Sequence, residues 1–123
     1  MKIISLNTYG GKVFDPLMEF VKVNAVDTDI FFFQEVFDSA IGAFPSNGKR
    51  TNLYSELVNL LPNLSGFFAP AFEHYNFRDV VSEELYSGLA MFIKKKYQID
   101  SVGDFFVFNE RNSFQFGQPE TLP

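Results

Sequence analysis

Glu35 is the residue whose type and setting most directly point to chemistry. It closes the run Asp29-Ile30-Phe31-Phe32-Phe33-Gln34-Glu35-Val36, in which Ile30 to Phe33 are unbroken apolar residues. Four such residues are too few for a helix and fit a strand buried on both faces. A carboxylate at the end of that strand does not serve packing, because burying an unpaired charge is strongly unfavourable. In open α/β sheets ligands gather outside the carboxyl ends of the strands, so Glu35 is expected to hold a divalent cation. The plainer alternative is a solvated strand end leading into a turn. Asn7 closes an earlier apolar stretch, where it reads as a turn former before Gly10-Gly11. His74 is the single histidine and lies in a polar stretch, which favours an exposed or hydrogen-bonded ring over a catalytic one. Glu83-Glu84 in the same stretch reads as solvated, with a second metal contact as the alternative.

The elements that would position these groups alternate in type. Residues 2–7 form a first strand, with Ile3, Ile4 and Leu6 as its apolar content and Tyr9-Gly10-Gly11 as its break. Asp15 is expected to cap a helix with Pro16 at its first position and Leu17, Phe20 and Val21 on its buried face. Asp27-Thr28 turns the chain into the strand ending at Glu35, which gives a βαβ-like opening with the sense of strand pairing left open. After a loop over 37–48, a second helix buries Leu53, Leu57, Leu60 and Leu61 and ends at Pro62. A short third strand over 66–69 is expected to stop at Pro70, and a polar loop follows over 73–84. A fourth strand over 88–93 ends at Lys94-Lys95-Lys96, which would blunt a sheet edge, with phosphate steering as the alternative. A fifth, Phe-rich strand over 102–108 would belong to the core.

Composition narrows the classes. The 123 residues allow one domain at most, and 17 Phe with 46% hydrophobic residues exclude a disordered chain. A net charge of −5 argues against stable binding of nucleic acid by charge, which needs a basic face. It suits a carboxylate-lined metal site. With no cysteine, thiolate sites and disulfides are excluded. No apolar stretch is long enough for a transmembrane segment, and the opening residues lack the apolar run of a signal peptide. A cytoplasmic location is the expectation.

Three motifs in order carry a family resemblance: a first strand ending Leu6-Asn7-Thr8, an apolar strand ending Gln34-Glu35-Val36, and Tyr86-Ser87-Gly88-Leu89-Ala90-Met91-Phe92. Together they resemble the endonuclease/exonuclease/phosphatase superfamily. The resemblance implies an α/β fold, with residues 1–123 forming the amino-terminal part of a four-layer α/β sandwich and lacking its carboxy-terminal half. It implies a divalent-metal-dependent phosphoester hydrolase, a phosphodiesterase or phosphatase, using magnesium, or manganese in its place. Glu35 and Asn7 would be the metal and catalytic residues, and Tyr86, with His74 as a weaker candidate, would border the substrate. The substrate would be a phosphoester, whether a small molecule, lipid-derived or nucleic acid.

The family's later motifs, Asn-x-His, Asp-x-Asn and a closing Asp-His, have no counterpart here. No histidine follows His74 and no aspartate follows Asp104. The expectation is therefore a chain inactive alone, whose sheet leaves an aromatic face uncovered. The reading from another class is a non-catalytic α/β binding or interaction domain that keeps the scaffold.

Overall fold

The computed structural model describes residues 1–106. They form strand β1 (Ile3–Asn7), a single 3-10 turn (Tyr9–Gly11), helix α1 (Phe14–Asn24), strand β2 (Ile30–Asp38), helix α2 (Leu53–Leu60), strand β3 (Leu64–Glu73) and strand β4 (Tyr86–Lys94). The strands make one sheet in the order β1-β2-β4-β3. β1 runs parallel to β2, with Ile3 opposite Ile30 and Asn7 opposite Gln34. β4 is antiparallel to both of its neighbours. The fold is thus mixed α/β, consistent with the amino-terminal part of an α/β sandwich.

Both helices turn apolar stripes toward one core. Leu17 and Val21 of α1 and Leu53 and Leu57 of α2 are buried, at the i, i+4 spacing that places side chains on one helix face. They cluster with Phe31, Phe33, Ala90 and Phe92 from the sheet. The Phe31 and Phe33 rings stack at 5.3 Å, and Phe92 meets Phe33 edge-on at 5.9 Å. Phe20, expected on this face, is largely exposed beside it.

Among the described residues the opposite side of the sheet carries no such layer. Strand residues alternate in direction, so Ile3, Phe32 and Leu89 point the other way and are 53%, 39% and 56% exposed. The expectation that the Ile30–Phe33 strand is buried on both faces is therefore corrected to burial on one. A hollow of about 580 Å³ lies on this open side, lined among others by Phe32, Gln34, Phe67, Leu89, Met91 and Phe105.

Element boundaries also shift for physical reasons. α1 begins at Phe14, with Val13 and not Asp15 as its N-cap, so Pro16 is the third helical residue. Proline is tolerated there because the first four helical N–H groups have no intrahelical partner. β3 continues through Pro70 to Glu73, since it is an edge strand and its register shifts between Pro70 and Phe72. Of the fifth strand expected over 102–108, the described residues 102–106 form none, and the rest lies outside the described residues. Phe105 is 87% exposed and is not part of the core.

The lysine run also has a different role from edge protection, because β4 is an inner strand. Lys94 and Lys96 hold their ammonium groups 3.8 and 3.7 Å from Asp29 Oδ1. Asp29 ties this end of the sheet together. Its Oδ2 accepts the Lys2 backbone N–H at 2.8 Å, its Oδ1 accepts the Tyr97 hydroxyl at 2.9 Å, and its carbonyl accepts the Lys94 N–H. The Lys2 hydrogen bond first, then Tyr97 and the two lysines, hold the carboxyl below its usual range. A depressed carboxyl stabilises the fold above its unfolded pKa, and that contribution is lost as pH falls through the folded value. Urea midpoints measured from pH 6 down to below about pH 4, the ordinary range of Asp, should fall less steeply in Asp29→Asn than in the unmodified chain. An identical acid slope would show that Asp29 does not govern it.

Candidate functional site

The strand directions bring all four candidate residues to one end of the sheet. β1 and β2 run in parallel toward this end, β4 starts at it and β3 finishes at it. Asn7, Glu35, Tyr86 and His74 consequently lie along one rim.

Glu35 does not terminate its strand. β2 runs on to Asp38, and the pairing with β4 shifts register between Phe33 and Val36. Glu35 sits in this bulge with φ +55°. A left-handed non-glycine residue costs ~1–3 kcal/mol and persists only where its surroundings enforce it. Thr8 helps to enforce it, because its buried hydroxyl lies 2.9 Å from the Gln34 carbonyl and 3.0 Å from that of Glu35. The Thr8 N–H donates to the same Gln34 carbonyl at 3.0 Å. The bulge is thus pinned from the end of β1, and bulges commonly re-aim side chains beside active sites.

Asn7 uses its side chain locally. Its Oδ1 accepts the Tyr9 backbone N–H at 2.8 Å, which makes it the turn former anticipated from Gly10-Gly11 as well as a rim residue. Tyr86 stands opposite Asp38 of β2 and Glu73 of β3. Its hydroxyl donates to Glu84 Oε1 at 2.9 Å, and that bond, followed by desolvation and the charges of Glu73 and Glu84, raises its pKa. His74 Nδ1 donates to the Glu83 carbonyl at 2.7 Å, its backbone N–H donates to the Leu85 carbonyl, and its carbonyl accepts the Val81 N–H. His74 therefore holds the 74–85 loop closed, and Nε2 lies 3.4 Å from Glu73.

Reading the sequence missed Thr8, Tyr9 and Lys49. Lys49 is 8% exposed although it carries a charge. Its ammonium lies 4.3 Å from the centroid of the Tyr9 ring. Burial pushes the Lys49 pKa down, the Glu35 carboxylate pushes it back up, and Lys12 lowers it again. Only the pairing of glycine and lysine at Gly48-Lys49 in an acidic chain hinted at this group.

The backbone arrangement has a solved counterpart. The chain matches an endonuclease/exonuclease/phosphatase family protein from Leptotrichia buccalis C-1013-b with a TM-score of 0.53 and 17% identity. The match covers 82% of this chain and 40% of that one, so the chain spans less than half the length of the structure it resembles. The chain has a distant endonuclease/exonuclease/phosphatase-like fold. No family model and no curated protein matches it.

Within this endonuclease/exonuclease/phosphatase-like fold, the rim offers few metal donors. No group of three or more His, Asp or Glu among the described residues is arranged to hold an ion. That donor set does not make a dedicated cage.

Proposed function

We propose that this chain carries part of the site of a divalent-metal-dependent phosphoester hydrolase, a phosphodiesterase or phosphatase. The observation that carries the reading is Glu35, held left-handed in a bulge at the rim where Asn7 and Tyr86 also lie. The shared fold supports it. Glu35 would hold magnesium or manganese, with the Asn7 amide beside it, and Tyr86 would border the phosphoester. When bound, such a cation polarises a phosphoryl oxygen and offsets the charge developing on it. The chain's own residues contribute position: Thr8 fixes the bulge and Asn7 fixes the turn that follows β1. A water nucleophile also needs a base within hydrogen-bond reach. The substrate would be a small, lipid-derived or nucleic-acid phosphoester. None of the described helices is long and apolar enough to cross a membrane.

Manganese titration followed by the electron paramagnetic resonance of the free ion tests the assignment. Glu35→Gln removes a charge and keeps the shape, so manganese affinity should fall about tenfold, the loss of one charge-assisted contact. Equal affinity in the two chains would sink the role of Glu35. A second reading is a non-catalytic α/β binding or interaction domain on the same scaffold. It would be adopted if the unmodified chain took up no manganese at all.

A further inference from the structure

Two turns at the rim interlock through their glycines and lysines. The 3-10 turn after β1 meets the turn at Ser46–Lys49, and the Arg50 N–H donates to the Gly10 carbonyl at 2.8 Å. The stem of Lys49 lies across Gly10, where an added Cβ would come within 2.5 Å of Lys49 Cδ. The stem of Lys12 lies across Gly48, with Lys12 Cε 3.5 Å from where a Cβ would stand. Each lysine thus packs over the other turn's glycine, and both ammonium groups arrive at one ring. Lys49 Nζ is 4.3 Å and Lys12 Nζ 5.4 Å from the centroid of Tyr9. The Tyr9 backbone is itself held by the hydrogen bond from its N–H to Asn7 Oδ1.

This arrangement is costly as it stands. Lys49 is 8% exposed as a whole residue; its ammonium keeps some contact with solvent and, among the described residues, makes no hydrogen bond and no ion pair. A partly desolvated charge without a hydrogen-bonding partner in the protein is unfavourable, and a second cation on the same ring adds repulsion. An aromatic face offsets part of that cost but accepts no N–H hydrogen bond of ordinary strength. An anion between the two ammonium groups would remove both penalties and supply the missing acceptors. In a chain of net charge −5, two cations converging beside Glu35 are not explained by the average surface.

We propose that Lys49 and Lys12, gathered on the Tyr9 ring, form a seat for a phosphoryl anion. That the anion is a phosphoryl group rests on the phosphoester reading above; the seat itself rests on the two lysines. Three oxygens and more than one negative charge suit two ammonium groups better than a single carboxylate would. Lys49 then stands between Glu35 and the phosphate as a positioning and binding group.

The seat can be tested without any metal. Inorganic phosphate titrated into the 123-residue chain in EDTA, followed by calorimetry, should bind in the unmodified chain. Binding should weaken about tenfold in Lys49→Met and persist in Lys49→Arg. It should tighten in Glu35→Gln, which removes the competing carboxylate. A second measurement needs no variant: the Lys49 Cε resonance of the unmodified chain should move as phosphate is added. No phosphate binding, equal binding in Lys49→Met, or an unmoved Lys49 resonance would overturn the seat. Phosphate binding retained in a chain that ignores manganese would support the seat while removing the metal reading.

Discussion

Gly88→Ala should cost the chain about 3 kcal/mol or more, the upper end of what overpacking a filled core costs. An added Cβ at this position would fall on the Ala69 carbonyl oxygen, with Ala69 C and Pro70 Cα each 2.9 Å away. These are backbone atoms of the neighbouring strand and cannot rotate aside as a side chain would. Gly88 faces Pro70 on one side and Val36 on the other, each beside a register shift. The strand between two bulges therefore needs a residue without a side chain, and moving β4 away would disturb Glu35 through Val36. With net stabilities of ~5–15 kcal/mol, the loss should appear as a large drop in the urea midpoint followed by circular dichroism. Gly103→Ala provides the contrast, since nothing lies within 4 Å of an added Cβ there and its midpoint should not move. Equal midpoints for Gly88→Ala and the unmodified chain would refute the close approach.

The 123-residue chain should bind 8-anilinonaphthalene-1-sulfonate strongly and hydrolyse no phosphodiester with magnesium or manganese. On the proposed reading, the side of the sheet bearing Phe32, Leu89 and the lining of the 580 Å³ hollow is the side a second sheet would cover. Apolar patches of this kind attract dyes and other chains. Burying one Phe contributes ~1.5–3 kcal/mol relative to exposure, so an uncovered face forfeits a sizeable fraction of a domain's net stability. The double change Phe32→Ser and Leu89→Ser should reduce dye fluorescence severalfold, because it removes apolar side chains that are partly in water. A cooperative monomer that binds no dye, or that turns over a phosphodiester, would refute the half-domain reading.

What the sequence made legible followed from local pattern. The i, i+4 leucines of α2 and the apolar run at Ile30 are unambiguous at the level of single elements, and both elements are present. Asn7 closes β1 and Tyr86 opens β4, whereas Glu35, read from the sequence as a strand end, lies in a bulge before the end of β2. What stayed hidden depends on pairing across the chain. Pro70 reads as a stop until β3 is known to be an edge. The lysines after β4 read as edge protection until Asp29, far away in sequence, is seen beside them. The contact of Lys49 with Tyr9 joins two loops that no periodicity links. A fold-level pattern could suggest that Glu35 was functional, but only backbone geometry showed it held in a left-handed bulge.

The strand order also constrains the path by which the chain assembles during synthesis. β2 lies between β1 and β4, and its Phe31 is opposite Phe92. Everything from β1 through α2 and β3 must therefore leave the ribosome before the second edge of β2 has a partner. In that interval one side of the phenylalanine run offers open backbone hydrogen-bonding groups to any neighbouring nascent chain. β3 and β4, by contrast, follow each other directly and pair as soon as both have emerged. The strand that carries Glu35 is thus made early and completed late, and of the four it relies longest on the helices packed over it and on whatever chaperone meets it at the tunnel exit.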